Sequence, residues 1–114
     1  MEKEILKELP ACPVETTLTL ISDKWKVLIL RDLMLGTKRF GELKKSIGHV
    51  TQKVLTAQLR QMEESGLLTR KVYAEVPPRV EYTLTELGYS LKPVLDAMRA
   101  WGEEYKNRLE GKAE

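Results

Sequence analysis

Thr51-Gln52-Lys53-Val54-Leu55-Thr56-Ala57-Gln58-Leu59-Arg60-Gln61-Met62-Glu63-Glu64-Ser65-Gly66 reads as one helix with a marked start, a marked stop and two unlike faces. The Thr51 hydroxyl can accept a hydrogen bond from a first-turn backbone N–H, which makes it an N-cap, and Gly66 supplies the left-handed residue that ends a helix at little cost. Leu55, Leu59 and Met62 recur at i, i+4 and i+7 with Val54 on the flank, so one stripe faces a core. On the other side Gln52, Thr56 and Arg60 fall at i, i+4 and i+8 with Lys53 beside them. The negative charges of the helix, Glu63 and Glu64, sit at its far end. Amide, hydroxyl and guanidinium groups in such a row are those that pair with base edges and phosphates in a DNA major groove. A solvated helix face has a similar composition, so the flanking segments decide between the two.

Upstream, Phe40, Leu43 and Ile47 at i, i+3 and i+7 predict a short amphipathic helix, and Gly48-His49-Val50 a turn. Two short helices joined by a tight glycine-containing turn, the second with its polar face outward, make a helix-turn-helix. Downstream, Leu67 to Ala74 and Arg79 to Leu84 are rich in strand formers. Val80, Tyr82 and Leu84 alternate with Glu81 and Thr83 as a half-buried strand does. Val76-Pro77-Pro78 forbids regular pairing within the link itself, so the two runs on either side of it read as a hairpin. A hairpin directly after the reading helix is a wing.

The strongest core helix is expected over Lys24 to Leu35, with Trp25, Leu28, Ile29, Leu33 and Leu35 inward and Gly36 at its end. Before it, Cys12-Pro13 opens a helix carrying Val14, Leu18 and Ile21 on one side, because proline is pre-shaped for the first helical position. Ile5, Leu6 and Leu9 share a face in a short N-terminal helix stopped by Pro10. Thr85 caps a last helix from Glu86 to about Leu109, whose stripe is Leu91, Val94, Leu95, Met98, Trp101 and Tyr105; Pro93 kinks it or crowds its start. That stripe is longer than a small winged domain can cover. Pairing with the same helix of a second subunit is the expected solution.

The expected fold is mainly α with a small β-hairpin wing (α+β), a winged helix-turn-helix that dimerises through its terminal helices. Its parts are an arm with a dimer contact (1–11), a DNA-binding domain (12–85), a dimerisation helix (86–109) and a tail (110–114). Leu6, Leu9, Leu91, Leu95, Met98, Trp101 and Tyr105 are the expected dimer contacts. Gln52, Lys53, Thr56 and Arg60 are the expected base readers. Lys38, Arg39, Lys44, Thr51, Arg70, Lys71 and Arg79 are the expected contacts to the DNA backbone.

Composition agrees with a nucleic-acid partner. The chain has 114 residues and a net charge of +2, too small to argue from. Its distribution says more: Thr37 to Arg79 holds nine basic and four acidic residues, +5, and the remainder is −3. A positive middle on acidic flanks is the footprint of a surface that meets a polyanion. No apolar run approaches a membrane span, and the charged N-terminus does not read as a signal peptide, so a cytoplasmic protein without a membrane partner is expected. Cys12 is the only cysteine and His49 the only histidine. A zinc site needs three or four ligands, so neither a metal nor another cofactor is expected. Cys12 as a thiol catalyst lacks an accompanying base and orienting residue, and an enzyme is not expected. A winged helix acting as a protein-interaction module is the alternative class.

The residues resemble the HxlR-type winged-helix transcriptional regulators, whose architecture is related to that of MarR-type regulators. The resemblance covers about residues 12 to 101. It is carried by Cys12-Pro13-Val14-Glu15, Lys24-Trp25, Arg39-Phe40 with Glu42-Leu43, Lys53-Val54-Leu55-Thr56 with Leu59-Arg60, and Gly66-Leu67. Its most specific run is Val76-Pro77-Pro78-Arg79-Val80-Glu81-Tyr82 followed by Leu84-Thr85 and Gly88. The resemblance implies dimeric, site-specific binding to double-stranded DNA. It also implies an oxidant or electrophile effector sensed through an N-terminal cysteine, and the matching position is Cys12. The helix dipole at an N-cap favours thiolate there, whereas a free cysteine is more commonly a small apolar packing residue.

Overall fold

In the computed structural model, which describes residues 8–113, the chain runs α1 (Pro13–Ile21), α2 (Lys24–Leu33), β1 (Lys38–Arg39), α3 (Phe40–Ile47), α4 (Gln52–Glu64), β2 (Leu68–Tyr73), β3 (Arg79–Leu84), α5 (Glu86–Tyr89) and α6 (Lys92–Ala113). The boundaries have chemical causes. Pro13 opens α1 behind an extended Cys12. The Asp23 carboxylate accepts the Lys26 amide at 3.0 Å and caps α2, and Thr51 Oγ1 accepts the Val54 amide at 3.1 Å to cap α4. At the far end of α4, Gly66 takes φ +82°. The Leu67 amide donates to the Met62 carbonyl at 2.9 Å and the Gly66 amide to that of Glu63 at 3.1 Å. This pair of bonds satisfies two orphan carbonyls and turns the chain directly into β2.

The core lies where α2, α3 and α4 meet the sheet. Ile29, Leu30 and Leu33 of α2, Leu43 of α3, and Leu55, Leu59 and Met62 of α4 are buried together with Leu67, Leu68, Tyr82 and Leu84. Each such aliphatic side chain contributes roughly 1.5–3 kcal/mol on burial, so the inward stripe of α4 is held rigidly while its other face stays in solvent. The sheet is antiparallel with order β1-β3-β2. Its hairpin runs from the Leu68–Leu84 pair to the Tyr73–Arg79 pair. Val76-Pro77-Pro78 falls in the connection, as its chemistry requires. These elements are a winged helix-turn-helix.

Four features differ from the sequence expectation. Thr37-Lys38-Arg39 is not a plain connector: Lys38 and Arg39 pair with Tyr82 and Glu81 as a third strand, too short to show alternation. Leu35 is not in the core but 82% exposed, because α2 ends at Leu33 and Leu35 lies in the following turn. On α1 only Ile21 is buried, while Val14 and Leu18 are exposed. The last helix is two: α5 stops at Tyr89, and α6 begins at Lys92 with Pro93 in its first turn, where a missing N–H breaks no helical bond. It continues to Ala113, through the expected tail. Ile5 and Leu6 lie outside the described residues; Leu9 is half-buried.

The Cα radius of gyration is 16.5 Å, against about 13 Å for a compact domain of this length. The excess belongs to α6, 22 residues long and hence about 33 Å, which contacts the core through Val94 and Leu95 near its start, with Leu91 just before it. No helix among the described residues is long and apolar enough to cross a membrane.

Candidate nucleic-acid interface

Because Leu55, Leu59 and Met62 anchor one side of α4, helical geometry places Gln52, Lys53, Thr56 and Arg60 outward. All four are exposed, and with Ala57 they border one open surface depression. Lys53 and Arg60 have no acidic partner among the described residues. The stripe therefore offers amide, hydroxyl, ammonium and guanidinium groups not committed to intramolecular ion pairs. Thr51, at the helix start, accepts the capping bond at its hydroxyl oxygen, which does not engage the O–H as donor.

The other basic residues fall into two groups. Lys38 and Arg39 lie on β1 and Lys44 in the last turn of α3. The Arg39 amide donates to the Glu42 carboxylate at 2.9 Å, which fixes the start of α3 and leaves the Arg39 side chain exposed. The wing cations are more engaged. Arg70 Nε lies 3.3 Å from Glu63 Oε1. Arg79 reaches Glu75 at 3.4 Å and Glu81 at 3.6 Å, and its guanidinium covers the Tyr73 ring at 3.9 Å. Lys71 stands over the same ring at 4.9 Å. Arg79 thus ties β2, β3 and their connection together at the hairpin tip, in addition to any outward role.

Sequence reasoning missed the link between α4 and the wing. Thr56, Leu59, Arg60, Glu63, Arg70 and Tyr82 border one recess. Tyr82 is buried, and that burial pushes its phenol above the ordinary value; nearby Arg70 lowers it and Glu63 raises it. The seven-residue spacing from Glu63 to Arg70 carries no signal by itself, since the contact exists only because Gly66 reverses the chain.

His49, in the helix-turn-helix turn, packs on Trp25 with ring centroids 5.2 Å apart, and Lys24 covers the Trp25 ring at 4.5 Å. Cys12 is exposed at the α1 N-cap, with no side-chain capping bond. Of the expected dimer contacts, Leu91 and Leu95 pack on the core of their own chain. Met98, Trp101 and Tyr105 are exposed, and Trp101 stacks on Tyr105 at 5.4 Å. Val14, Leu18 and Leu109 add to this uncovered apolar surface. Among the described residues no group of three or more His, Cys, Asp or Glu side chains is placed to hold a metal ion.

The comparisons with known proteins agree with this geometry. The profile of the family described as HxlR-like helix-turn-helix matches residues 20–110. The HTH-type transcriptional regulator YdeP of Bacillus subtilis is 50% identical over 103 residues, covering 90% of this chain and 80% of its own. Among solved structures, the redox regulator HypR in its reduced form superposes with a TM-score of 0.81 at 44% identity, covering 88% of this chain and 99% of that one. Its oxidised form gives 0.77 at 46% identity, with 82% and 96% covered.

Proposed function

The chain belongs to the HxlR-like helix-turn-helix family, a family of DNA-binding transcriptional regulators, and from that premise we propose that it acts as a homodimer reading a near-palindromic operator. The α4 helix enters the major groove, with Gln52, Lys53, Thr56 and Arg60 meeting base edges. Thr51, Lys38, Arg39, Lys44, Arg70, Lys71 and Arg79 hold the DNA backbone. The observation that carries this reading is the α4 stripe: four exposed polar side chains on a helix whose opposite face is locked into the core. Phosphate contacts set register and affinity, while bidentate base contacts set sequence preference.

The two-fold assembly rests on the uncovered apolar faces of α1 and α6. Closed two-fold pairing is the commonest way to bury such a face, and it sets two reading helices about 34 Å apart, one DNA turn. Cys12 is the effector site of this proposal. Its sulfur is exposed at a helix N-cap and so accessible to an oxidant, and a redox regulator is among the similar structures. Hydrogen peroxide would oxidise the Cys12 thiol to sulfenic acid with release of water, and the sulfenic acid condenses with a small thiol to a mixed disulfide, releasing a second water.

Selection of bound duplexes from a random pool tests the DNA reading. The expected winner is near-palindromic, with half-sites about one turn apart and roughly a thousandfold preference over scrambled DNA. Binding without an enriched site, fading only with salt, would contradict it. Repeating the titration after peroxide, with Cys12→Ser as control, tests the effector. Unchanged affinity in both proteins would leave Cys12 without a sensing role.

A further inference from the structure

Glu63 is an acidic side chain beside a surface that must approach a polyanion. It lies one helical turn beyond Arg60 on α4, where residues three apart are neighbours, and its carboxylate holds Arg70 of the wing at 3.3 Å. Arg60, Glu63 and Arg70 border the same recess, so two guanidinium groups share one carboxylate's surroundings. The Glu63–Arg70 pair is well exposed, 38% and 46% by side chain. Exposed pairs contribute at most about 1 kcal/mol to stability, so stability is a poor reason for placing a negative charge there. Specificity is a better one, because a like charge set against a surface penalises wrong partners more than it costs the right one.

We infer that Glu63 is a positioning residue that sets DNA specificity by holding Arg70 on the wing side of the recess and leaving Arg60 the one guanidinium at that end of the reading stripe without an acidic partner among the described residues. This rests on the DNA reading above. On random DNA, where phosphate attraction is nearly all the affinity, the Glu63 carboxylate competes with phosphate for Arg70 and weakens that backbone contact. On the operator, Arg60 contacts a base edge, and releasing Arg70 strengthens its phosphate contact but also sets a competing guanidinium beside Arg60. Removing the charge therefore helps random DNA more than the operator.

The test is a cycle of wild type, Glu63→Gln, Arg70→Gln and the double variant, each titrated against the selected duplex and its scrambled control at several salt concentrations. Glutamine keeps the shape of Glu63, and both side chains are well exposed, so folding is retained in each variant. The expected result for Glu63→Gln is about threefold to tenfold tighter binding to scrambled DNA, a smaller gain on the operator, and a salt dependence steeper by at most about 0.9, the value of one full phosphate contact. In the Arg70→Gln background the same substitution leaves the specificity ratio unchanged, since it acts through Arg70. An unchanged ratio in the single variant, or an equal change in both backgrounds, overturns the inference. A wild type that does not discriminate between the two duplexes overturns the DNA reading itself, and this inference with it.

Discussion

Arg60 ends the proposed reading stripe of α4 and has no acidic partner among the described residues, so in that proposal its guanidinium is available to the groove. If it pairs bidentately with a guanine, Arg60→Ala costs on the order of 1–3 kcal/mol on the operator and far less on random DNA. Equal losses in parallel titrations of the two duplexes would make it a phosphate contact. Behind it, Tyr82 reports on the fold instead of the DNA. Its phenol is raised, chiefly by burial, above the ordinary value of about 10. The folded state then holds this proton more tightly than the unfolded chain does. The stabilisation from Tyr82 is complete below about pH 10 and is lost as the pH rises from there through the folded value. Phenolate absorbance should therefore appear at higher pH in the native protein than in denaturant, and the alkaline fall in stability should be shallower in Tyr82→Phe. Coincident titrations in the two states would remove this contribution.

Among the elements, the joint between α4, the wing and α5 turns on one glycine. The Thr85 hydroxyl donates to the Gly66 carbonyl at 2.6 Å and accepts the Gly88 amide at 3.1 Å, and the Thr85 amide donates to the Leu67 carbonyl at 3.0 Å. A Cβ at Gly88 would overlap that same Leu67 carbonyl oxygen and crowd the Leu84 side chain. Backbone cannot yield as a side-chain tip can. Gly88→Ala should lower stability by roughly 1–3 kcal/mol, read as a lower denaturation midpoint with an unchanged denaturant slope. Gly102→Ala, in α6 with open space around it, should show no such loss. The sequence already marked Gly88 as part of a specific run, and it made α2, α3, α4 and the hairpin legible, because each carries enough turns or alternations for its period to show. It could not show β1, two residues whose strand character comes entirely from the partner edge of β3. Nor could it separate α5 from α6, since their apolar residues continue one stripe across the break. The candidate site divides in the same way. Gln52, Lys53, Thr56 and Arg60 follow from helical spacing alone, whereas the Glu63–Arg70 contact depends on a chain reversal and on two side-chain conformations.

For the whole molecule, periodicity says which side of a helix is apolar but not what covers it. Leu91, Val94 and Leu95 are met by their own chain, while Met98, Trp101, Tyr105 and Leu109 farther along α6, and Val14 and Leu18 on α1, remain exposed. A separated monomer would keep these large side chains in water, and the proposed dimer removes that cost by seating the two copies of α6 and α1 on one another. Trp101, 69% exposed, offers the largest single burial. Trp101→Glu places a charge in the proposed seam without touching the helix-turn-helix core. The wild type is expected to sediment as a dimer at micromolar concentration, and the variant as a monomer with its helical circular dichroism retained. Two linked half-sites bind roughly a hundredfold to ten-thousandfold more tightly than one, so the variant's operator affinity should fall by about that factor, and its affinity for random DNA much less. A Trp101→Glu protein that remains dimeric, and still binds the operator as the wild type does, would move the seam elsewhere on the molecule.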